Sequence, residues 1–308
     1  MSLERGPGAG PTLRLTATHL LPGVSSSSAG DALAVVTGDS GATLGPAGVL
    51  FVPSPLPCGE CPFCRRALVS ACRNLRAPLT VEHWRDVEVP ERFVTGLTEP
   101  GWADLPPAAA AGAGLVAEIL DCTSRSGLGP GDTAIWVGEE PWVSLGAAFS
   151  ARRSCRTFRV SPNAPSPAAA SESVVTLDID TDTSRWQAAV ADAEAASGAG
   201  PGRPERRIFV YGARFADTAL RLAVPGTTVS FRRGVPATLN GLDRVGALRV
   251  LVGGGYHPDL VPEALALLAR GEMAILEAIR EVPLQGLEEA LTSFAAGSDR
   301  RFPVVTLG

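Results

Sequence analysis

Short apolar stretches separated by turn residues fill the first hundred positions of the chain. The alternation of apolar and polar residues within them is typical of half-buried β-strands. The predicted strands are Leu13–Ala17, Ala32–Val36, Val49–Val52 and Asp86–Val89. The N-terminal part of the chain is therefore predicted to be a β domain.

After two consecutive prolines, Pro106 and Pro107, the pattern becomes one of alternating helices and strands. An Ala- and Leu-rich helix is predicted over Ala108–Ser126, and the Gly127–Asp132 turn ends it. Such alternation favours a doubly wound parallel sheet, so the fold class is α/β. The predicted elements are strands at Thr133–Val137, Arg156–Val160, Ser173–Leu177, Arg207–Tyr211 and Thr227–Phe231, and helices at Val143–Arg153, Trp186–Ala195, Asp217–Leu222 and Pro262–Arg270. A last strand at Val304–Leu307 predicts that the chain returns to the first domain.

Composition excludes several classes of function. With 45% apolar and 19% charged residues, the 308-residue chain can bury the cores of two domains. The net charge is −5, and its arginines are scattered among acidic residues without a basic block, so no nucleic-acid partner is expected. No run of 18 apolar residues is present, and residues 1–11 are a Gly/Pro-rich tail without the apolar core of a signal peptide. No membrane partner and a cytoplasmic location are the expectation.

Four cysteines lie within fifteen residues, in the pattern C-x2-C-x2-C-x7-C. They are Cys58, Cys61, Cys64 and Cys72. Such spacing lets four thiolates converge on one ion, which is typical of a closed, structural zinc site. A disulfide pairing is a weaker interpretation, because this density is typical of metal sites. An iron–sulfur cluster is disfavoured by the long last spacing and by the missing proline after it. Cys122 and Cys155 are predicted to be core residues.

The segment around these cysteines, Pro57–Arg66, resembles the structural-zinc lobe of medium-chain, zinc-containing alcohol dehydrogenases. Four further segments resemble the same superfamily: Val89–Val94, Gly127–Asp132, Gly255–Asp259 and Pro262–Gly271. The resemblance implies a GroES-like β domain, split in sequence, around a Rossmann-like domain. The implied boundaries are 12–106 for the first part of the GroES-like domain with its zinc lobe at 58–74, 107–260 for the Rossmann-like domain, and 261–308 for the return.

The catalytic zinc ligands of that family have no counterpart at the matching positions. The resemblance implies a cysteine in a loop around His19 to Gly23, where Leu21 stands, and a Gly-His-Glu triplet, which falls on Ser27–Ala29. The third ligand falls on Gly114. Catalytic zinc needs three protein ligands and one open position. No catalytic residue is therefore predicted. Of the histidines, His83 is interpreted as structural or exposed and His257 as a hydrogen-bonding residue of a turn, and a rebuilt site on His19 is disfavoured.

The dinucleotide-binding turn is altered as well. In the Gly-x-Gly-x-x-Gly motif the second glycine admits the pyrophosphate and the third allows close helix packing. Here the three positions are Gly138, Glu140 and Val143, and the acidic residue that would hold the ribose falls on Ser161. A carboxylate at Glu140 repels a pyrophosphate, so NAD(P) binding is not expected.

Two interpretations of this turn remain open. In the first, Glu139 and Glu140 stabilise the helix N-terminus that a pyrophosphate otherwise caps. In the second, the turn is a remodelled NADP site in which Arg159 or Arg152 binds the 2′-phosphate.

Three hypotheses on function follow from these patterns. The favoured one is a catalytically inactive dehydrogenase homologue that serves as a structural, regulatory or binding subunit. The alternative is an active, zinc-independent NADP-dependent oxidoreductase acting on a small carbonyl or enone, with Tyr211 or Tyr256 as the donor to the substrate oxygen. The third is an unselected remnant. The resemblance also implies a homodimer, or a heterodimer with an active relative, through an apolar edge strand at Leu248–Val252.

Overall fold

The computed structural model describes two compact units. Unit 1 comprises Met1–Ala117 and Tyr256–Gly308, and unit 2 comprises Glu118–Gly255. The residues described are 12–21, 33–37, 49–52, 58, 60–66, 72, 74, 87–90, 95–96, 101–102, 104–162, 174–178, 183–196, 205–232, 247–252 and 260–307. The predictions for residues 1–11, Ser27–Ala29, His83, Tyr256 and His257 lie outside this part of the chain.

Unit 1 is built on a β-sheet, as the apolar stretches of the N-terminal part predict. Its strands are β1 (Thr12–Leu21), β2 (Leu33–Thr37), β3 (Val49–Val52), β4 (Val87–Pro90), β5 (Thr95–Gly96), β12 (Ile279–Pro283) and β13 (Phe302–Thr306). The main path of the sheet runs β12-β13-β1-β2-β3-β5, and β4 pairs with β1. The predicted return of the chain is confirmed, because β13 pairs antiparallel with β1.

One expectation about β1 is wrong. The resemblance implies a loop around His19 to Gly23, but the described part of it, from His19 to Leu21, forms the end of β1. It is held on both sides, since His19 pairs with Thr306 of β13 and with Val35 of β2. A strand paired on both edges satisfies its backbone groups without a loop.

The helices of unit 1 differ from the prediction at one point. The helix predicted over Ala108–Ser126 is divided into α1 (Pro107–Ala111) and α2 (Ala113–Ser126), which continues into unit 2. The division falls at Gly112, where a Cβ would meet the side chain of Ile275 at 2.4 Å. The remaining helices of unit 1 are α6 (Val261–Ala269), α7 (Ile275–Ala278) and α8 (Leu287–Ala295).

Unit 2 is the doubly wound parallel sheet that the alternation predicts. Its strands are β6 (Thr133–Gly138), β7 (Arg156–Ser161), β8 (Val174–Asp178), β9 (Arg206–Tyr211), β10 (Thr228–Phe231) and β11 (Arg249–Val252), and its helices are α3 (Trp142–Arg152), α4 (Thr183–Ala196) and α5 (Ala216–Arg221). The order is β11-β10-β9-β6-β7-β8, with every pair parallel.

The core of unit 2 lies against this sheet. Ile135, Phe158, Ile208 and Val229 are buried in one apolar cluster with Trp186 of α4. Both faces of a parallel sheet are covered, and β6 and β9 are accordingly buried at every residue, including Thr133, Arg206 and Arg207 at their beginnings. No helix among the described residues is long and apolar enough to cross a membrane.

Candidate metal and cofactor sites

The four cysteines predicted as zinc ligands are brought together in unit 1. Their sulfur atoms all lie within 4.8 Å of one another. Backbone N–H groups donate along the cluster, from Cys61 to the sulfur of Cys58 at 3.4 Å and from Cys64 to the sulfur of Cys61 at 3.5 Å. A short 3-10 turn at Cys64–Arg66 directs the chain after the third cysteine.

The distances within the cluster fit a tetrahedral zinc ion. Zinc–sulfur bonds of about 2.3 Å place sulfur atoms about 3.8 Å apart in a tetrahedron. Cys58 and Cys72 have their sulfurs 3.6 Å apart, and those of Cys58 and Cys64 are 3.9 Å apart. None of the four is in a disulfide. Within the described residues, the four cysteines are the one group of metal-ligating side chains close enough to share an ion.

Two thiols of the cluster, those of Cys58 and Cys61, have lowered pKa values, which favour the thiolate form. The pKa of Cys61 is lowered to about 6, chiefly because the backbone N–H of Cys64 donates to its sulfur. Burial raises the pKa of Cys58, but N–H donation from Glu60 and Cys61 outweighs this and lowers it. Thiolates are the form that binds zinc.

The two other cysteines are separate from the cluster. Cys155 is 6% exposed, and its thiol donates to the carbonyl of Gly129 at 3.3 Å. Cys122 lies on α2, and its thiol contacts the carbonyl of Ile119 and the hydroxyl of Tyr211. Burial raises the pKa of both thiols, that of Cys155 to about 11. Both are protonated packing residues at neutral pH.

The turn after β6 keeps the geometry of the first glycine of a dinucleotide motif. Gly138 has φ +143°, and a Cβ there would meet the carbonyl oxygen of Tyr211 at 1.9 Å. The following N–H, of Glu139, donates to that same carbonyl at 3.0 Å. Only glycine fits this close approach of the β6 turn to β9.

Glu140 occupies the N-terminal end of α3 with its own carboxylate. One carboxylate oxygen accepts from the backbone N–H of Ser144, in the first turn of the helix, at 3.2 Å. The other accepts from Arg159 of β7, at 2.9 Å from Nε and 2.6 Å from Nη2. Both side chains are largely buried, at 10% exposure for Glu140 and 16% for Arg159. The carboxylate therefore satisfies a helix amide and an arginine that a pyrophosphate could otherwise contact.

The expectation that both glutamates cap the helix is wrong for Glu139. Its side chain is 46% exposed and faces Arg214, 3.6 Å away. The turn directs the two consecutive side chains apart, so only Glu140 reaches the amides of α3.

The packing role of the third glycine is performed one helical turn later than the motif places it. Val143 stands at the motif position and is buried. Gly146, three residues on, lies against Trp136 of β6, and a Cβ there would meet the indole at 2.3 Å. The motif alone does not predict this role for Gly146. The signal in the sequence is that Gly146 follows Val143 by three residues, which places both on the same face of α3.

The other predicted cofactor residues do not form a phosphate site. Ser161 ends β7, is fully buried, and its hydroxyl has no hydrogen-bond partner among the described residues. Arg159 is the 2′-phosphate ligand in the second interpretation of the turn. In the structure it is paired with Glu140. Arg152 is exposed at the last turn of α3. The described residues therefore do not fit the pyrophosphate of a dinucleotide.

The residues at the expected catalytic positions carry no metal-binding group. Leu21 ends β1, and Gly114 is buried in α2. Tyr211, a proposed donor to a substrate, is 4% exposed and its hydroxyl contacts the thiol of Cys122 at 3.4 Å. The alternative hypothesis thus has no accessible donor at Tyr211.

No protein-family model matches the sequence, and no curated protein matches it either. Solved structures do match the fold. The alcohol dehydrogenase from Thermus sp. ATN1 is 17% identical with a TM-score of 0.73, over 100% of this chain and 95% of that one. Galactitol-1-phosphate dehydrogenase from Escherichia coli is 12% identical with a TM-score of 0.72, over 100% and 96%.

A third structure, a protein from Sinorhizobium meliloti 1021 assigned as a zinc-binding dehydrogenase and bound to NADP, is 22% identical with a TM-score of 0.63, over 98% and 94% of the two chains. The chain thus has the fold of the medium-chain, zinc-type alcohol dehydrogenases, with a GroES-like and a Rossmann-like part.

Proposed function

We propose that this chain is a zinc-binding, alcohol dehydrogenase-like protein without catalytic activity, which serves as a structural, regulatory or binding subunit. The observation that carries the proposal is the Glu140 carboxylate, which bonds to the N–H of Ser144 and to Arg159 at the N-terminus of α3. An anion already placed there repels and displaces the pyrophosphate on which hydride-transfer chemistry of this fold depends.

The zinc part of the proposal rests on Cys58, Cys61, Cys64 and Cys72. These residues would hold one ion in a closed four-thiolate shell, which supports folding and leaves no position for a substrate. All four cysteines are kept, whereas the catalytic zinc ligands and two glycines of the dinucleotide motif are not. Random loss of residues would not spare the one site that serves folding, so this pattern favours a working protein over a remnant. A cluster of four cysteines that are not joined in disulfides also favours a reducing compartment, and we place the protein in the cytoplasm on that basis.

An activity assay tests the proposal against its alternative. Zinc-replete protein is expected to oxidise neither NADH nor NADPH in the presence of aldehydes, ketones, enones or quinones. The alternative oxidoreductase would consume NADPH with at least one enone or carbonyl compound. Heat-treated protein is the control for background oxidation, and protein-dependent turnover would reject the inactive assignment.

A second part of the proposal concerns assembly. Among the strands that the structure describes, β11 is at the edge of the sheet in unit 2, and Val252 on it is 66% exposed. An unpaired apolar edge strand can pair antiparallel with its own copy across a two-fold axis. We propose a homodimer through β11, with a heterodimer with an active relative as the other form of the same contact.

The backbone of β11 identifies a substitution that tests this contact. The N–H of Arg249 donates to the carbonyl of Thr227, just before β10, so in an alternating strand the N–H of Val252 points away from β10. Val252→Pro is expected to convert a dimer into a monomer, because it removes that outward donor and leaves the inner ladder intact. Light scattering coupled to gel filtration measures the mass, with Val252→Ala as the matched control. A monomeric native chain, or a dimer in both variants, would contradict the proposed interface.

A further inference from the structure

The crevice of the sheet in unit 2 lies where the strand order reverses. β7 and β8 continue to one side of β6, and β9, β10 and β11 continue to the other. In sheets of this order a dinucleotide lies across the carboxyl ends of the strands at this point, one nucleotide over each half. The turn after β6 and the end of β7 belong to the adenosine half. The ends of β9 and β10 therefore belong to the nicotinamide half.

Five side chains surround the carboxyl ends of β9 and β10, and we call them the crevice cluster. They are Glu118, Cys122, Trp142, Tyr211 and Arg232. Trp142, the first residue of α3, is 2% exposed. The guanidinium of Arg232 lies over its ring at 4.4 Å from the centroid. Such a cation–π contact is strongest where water is excluded.

Further contacts connect the cluster on every side. Arg232, just after β10, forms an ion pair with Glu118 of α2 at 2.7 Å. Tyr211, at the end of β9, stacks with Trp142 at 6.1 Å between centroids and contacts Cys122. Burial raises the pKa of Tyr211 well above its usual value, so its hydroxyl stays protonated. The space left beside these residues holds about one water molecule.

We infer that the crevice cluster fills the place of the nicotinamide nucleotide, independently of Glu140, which fills the place of the pyrophosphate. This inference rests on the proposed function and extends it to a second barrier. Unit 2 has replaced both parts of a dinucleotide with its own charged and aromatic side chains. The single substitution Glu140→Gly, which restores the glycine of the motif, therefore opens the adenosine half but leaves the nicotinamide half filled.

The test compares ADP, which carries only the adenosine half and its phosphates, with NADH. Glu140→Gly removes the carboxylate and frees Arg159 for a phosphate. In this variant NADH is expected to bind no more than about twofold more tightly than ADP, since the nicotinamide half adds no contacts. In Glu140→Gly combined with Trp142→Val, NADH is expected to bind at least about tenfold more tightly than ADP, a gain of about 1.4 kcal/mol.

Calorimetry measures both ligands, and zinc content with circular dichroism verifies folding. Glu140→Ala takes the place of Glu140→Gly if the latter is unfolded, and Arg232→Ala takes the place of Trp142→Val. A tenfold preference for NADH in the single variant would overturn the inference, because the crevice would then be open. No preference for NADH in a folded double variant would overturn it too. NADH binding by the native chain would instead reject the proposed function.

Discussion

Replacing Cys72 with serine is expected to release the zinc and to lower the midpoint of thermal unfolding by at least about 10 °C. Cys72 is the buried member of the cluster, 4% exposed, and its sulfur is 3.6 Å from that of Cys58. Loss of one of four thiolates opens the shell, and a structural zinc site contributes its binding free energy to folding. A loss of about 4 kcal/mol corresponds to a shift of this size for a domain of 150–250 residues.

The control is Cys155→Ala, which removes a buried thiol from unit 2 and not from the cluster. This variant is expected to retain its zinc and to lose about 1 kcal/mol, the effect of a small cavity. Calorimetric scanning and metal analysis of both variants provide the measurement. Equal losses of stability, or a full complement of zinc in Cys72→Ser, would show that the four cysteines do not act as one site.

Replacing Glu140 with alanine is expected to destabilise the protein by about 3 kcal/mol. The carboxylate holds a helix amide at Ser144 and pairs with Arg159, which is 16% exposed. Removing one partner of a buried ion pair leaves the other charge without compensation, which costs about 3–5 kcal/mol, and losing a helix-capping group adds about 1 kcal/mol. Partial exposure of both side chains places the expected value at the lower end of this range.

The neighbouring Glu139→Ala is a closely matched control. It removes the same side chain one residue earlier, but that side chain is 46% exposed and its partner Arg214 is 66% exposed. Exposed pairs contribute about 0–1 kcal/mol, so little change is expected. Urea unfolding followed by circular dichroism compares the two variants. Similar stabilities of Glu139→Ala and Glu140→Ala would contradict the assignment of Glu140 as the group that stabilises α3.

The local pattern of the sequence predicts most of the fold. β6 and β9 each contain an uninterrupted apolar run, Ala134–Val137 and Ile208–Tyr211, and a glycine follows each run. The structure also contains elements that the pattern does not predict, among them β12 and α8. β12 carries Arg280, Glu281 and Pro283, and only Ile279 and Val282 are buried. A short, half-polar strand is recognised as such only through its parallel pairing with β13.

The candidate site is predicted in part, for a reason of distance along the chain. The cysteines are close in sequence, so their spacing alone predicts that they meet. The interaction of Glu140 with Arg159 joins residues 19 apart, and no local pattern predicts it. From the sequence alone, Arg159 is only a candidate ligand of a 2′-phosphate, and the fold instead places it beside the turn, where it pairs with Glu140.

The crevice cluster is the part that the sequence does not predict. Trp142 and Tyr211 are 69 positions apart, and Arg232 follows a different strand. Only the order β10-β9-β6 brings the ends of these strands together. Burial is typical of a large aromatic residue such as Trp142, but its contact with Arg232 depends on the tertiary fold.

Titration of the native, zinc-replete chain with NADH and NADPH in a calorimeter tests the central claim most directly. The claim is that Glu140 fills the pyrophosphate position of the Rossmann-like unit 2, and that the four cysteines of unit 1 hold a structural zinc. The predicted result is about one zinc per chain and no heat of binding at about 1 mM of either cofactor, a limit of about −4 kcal/mol. Micromolar binding of either cofactor would contradict the claim and identify the altered turn as a working nucleotide site.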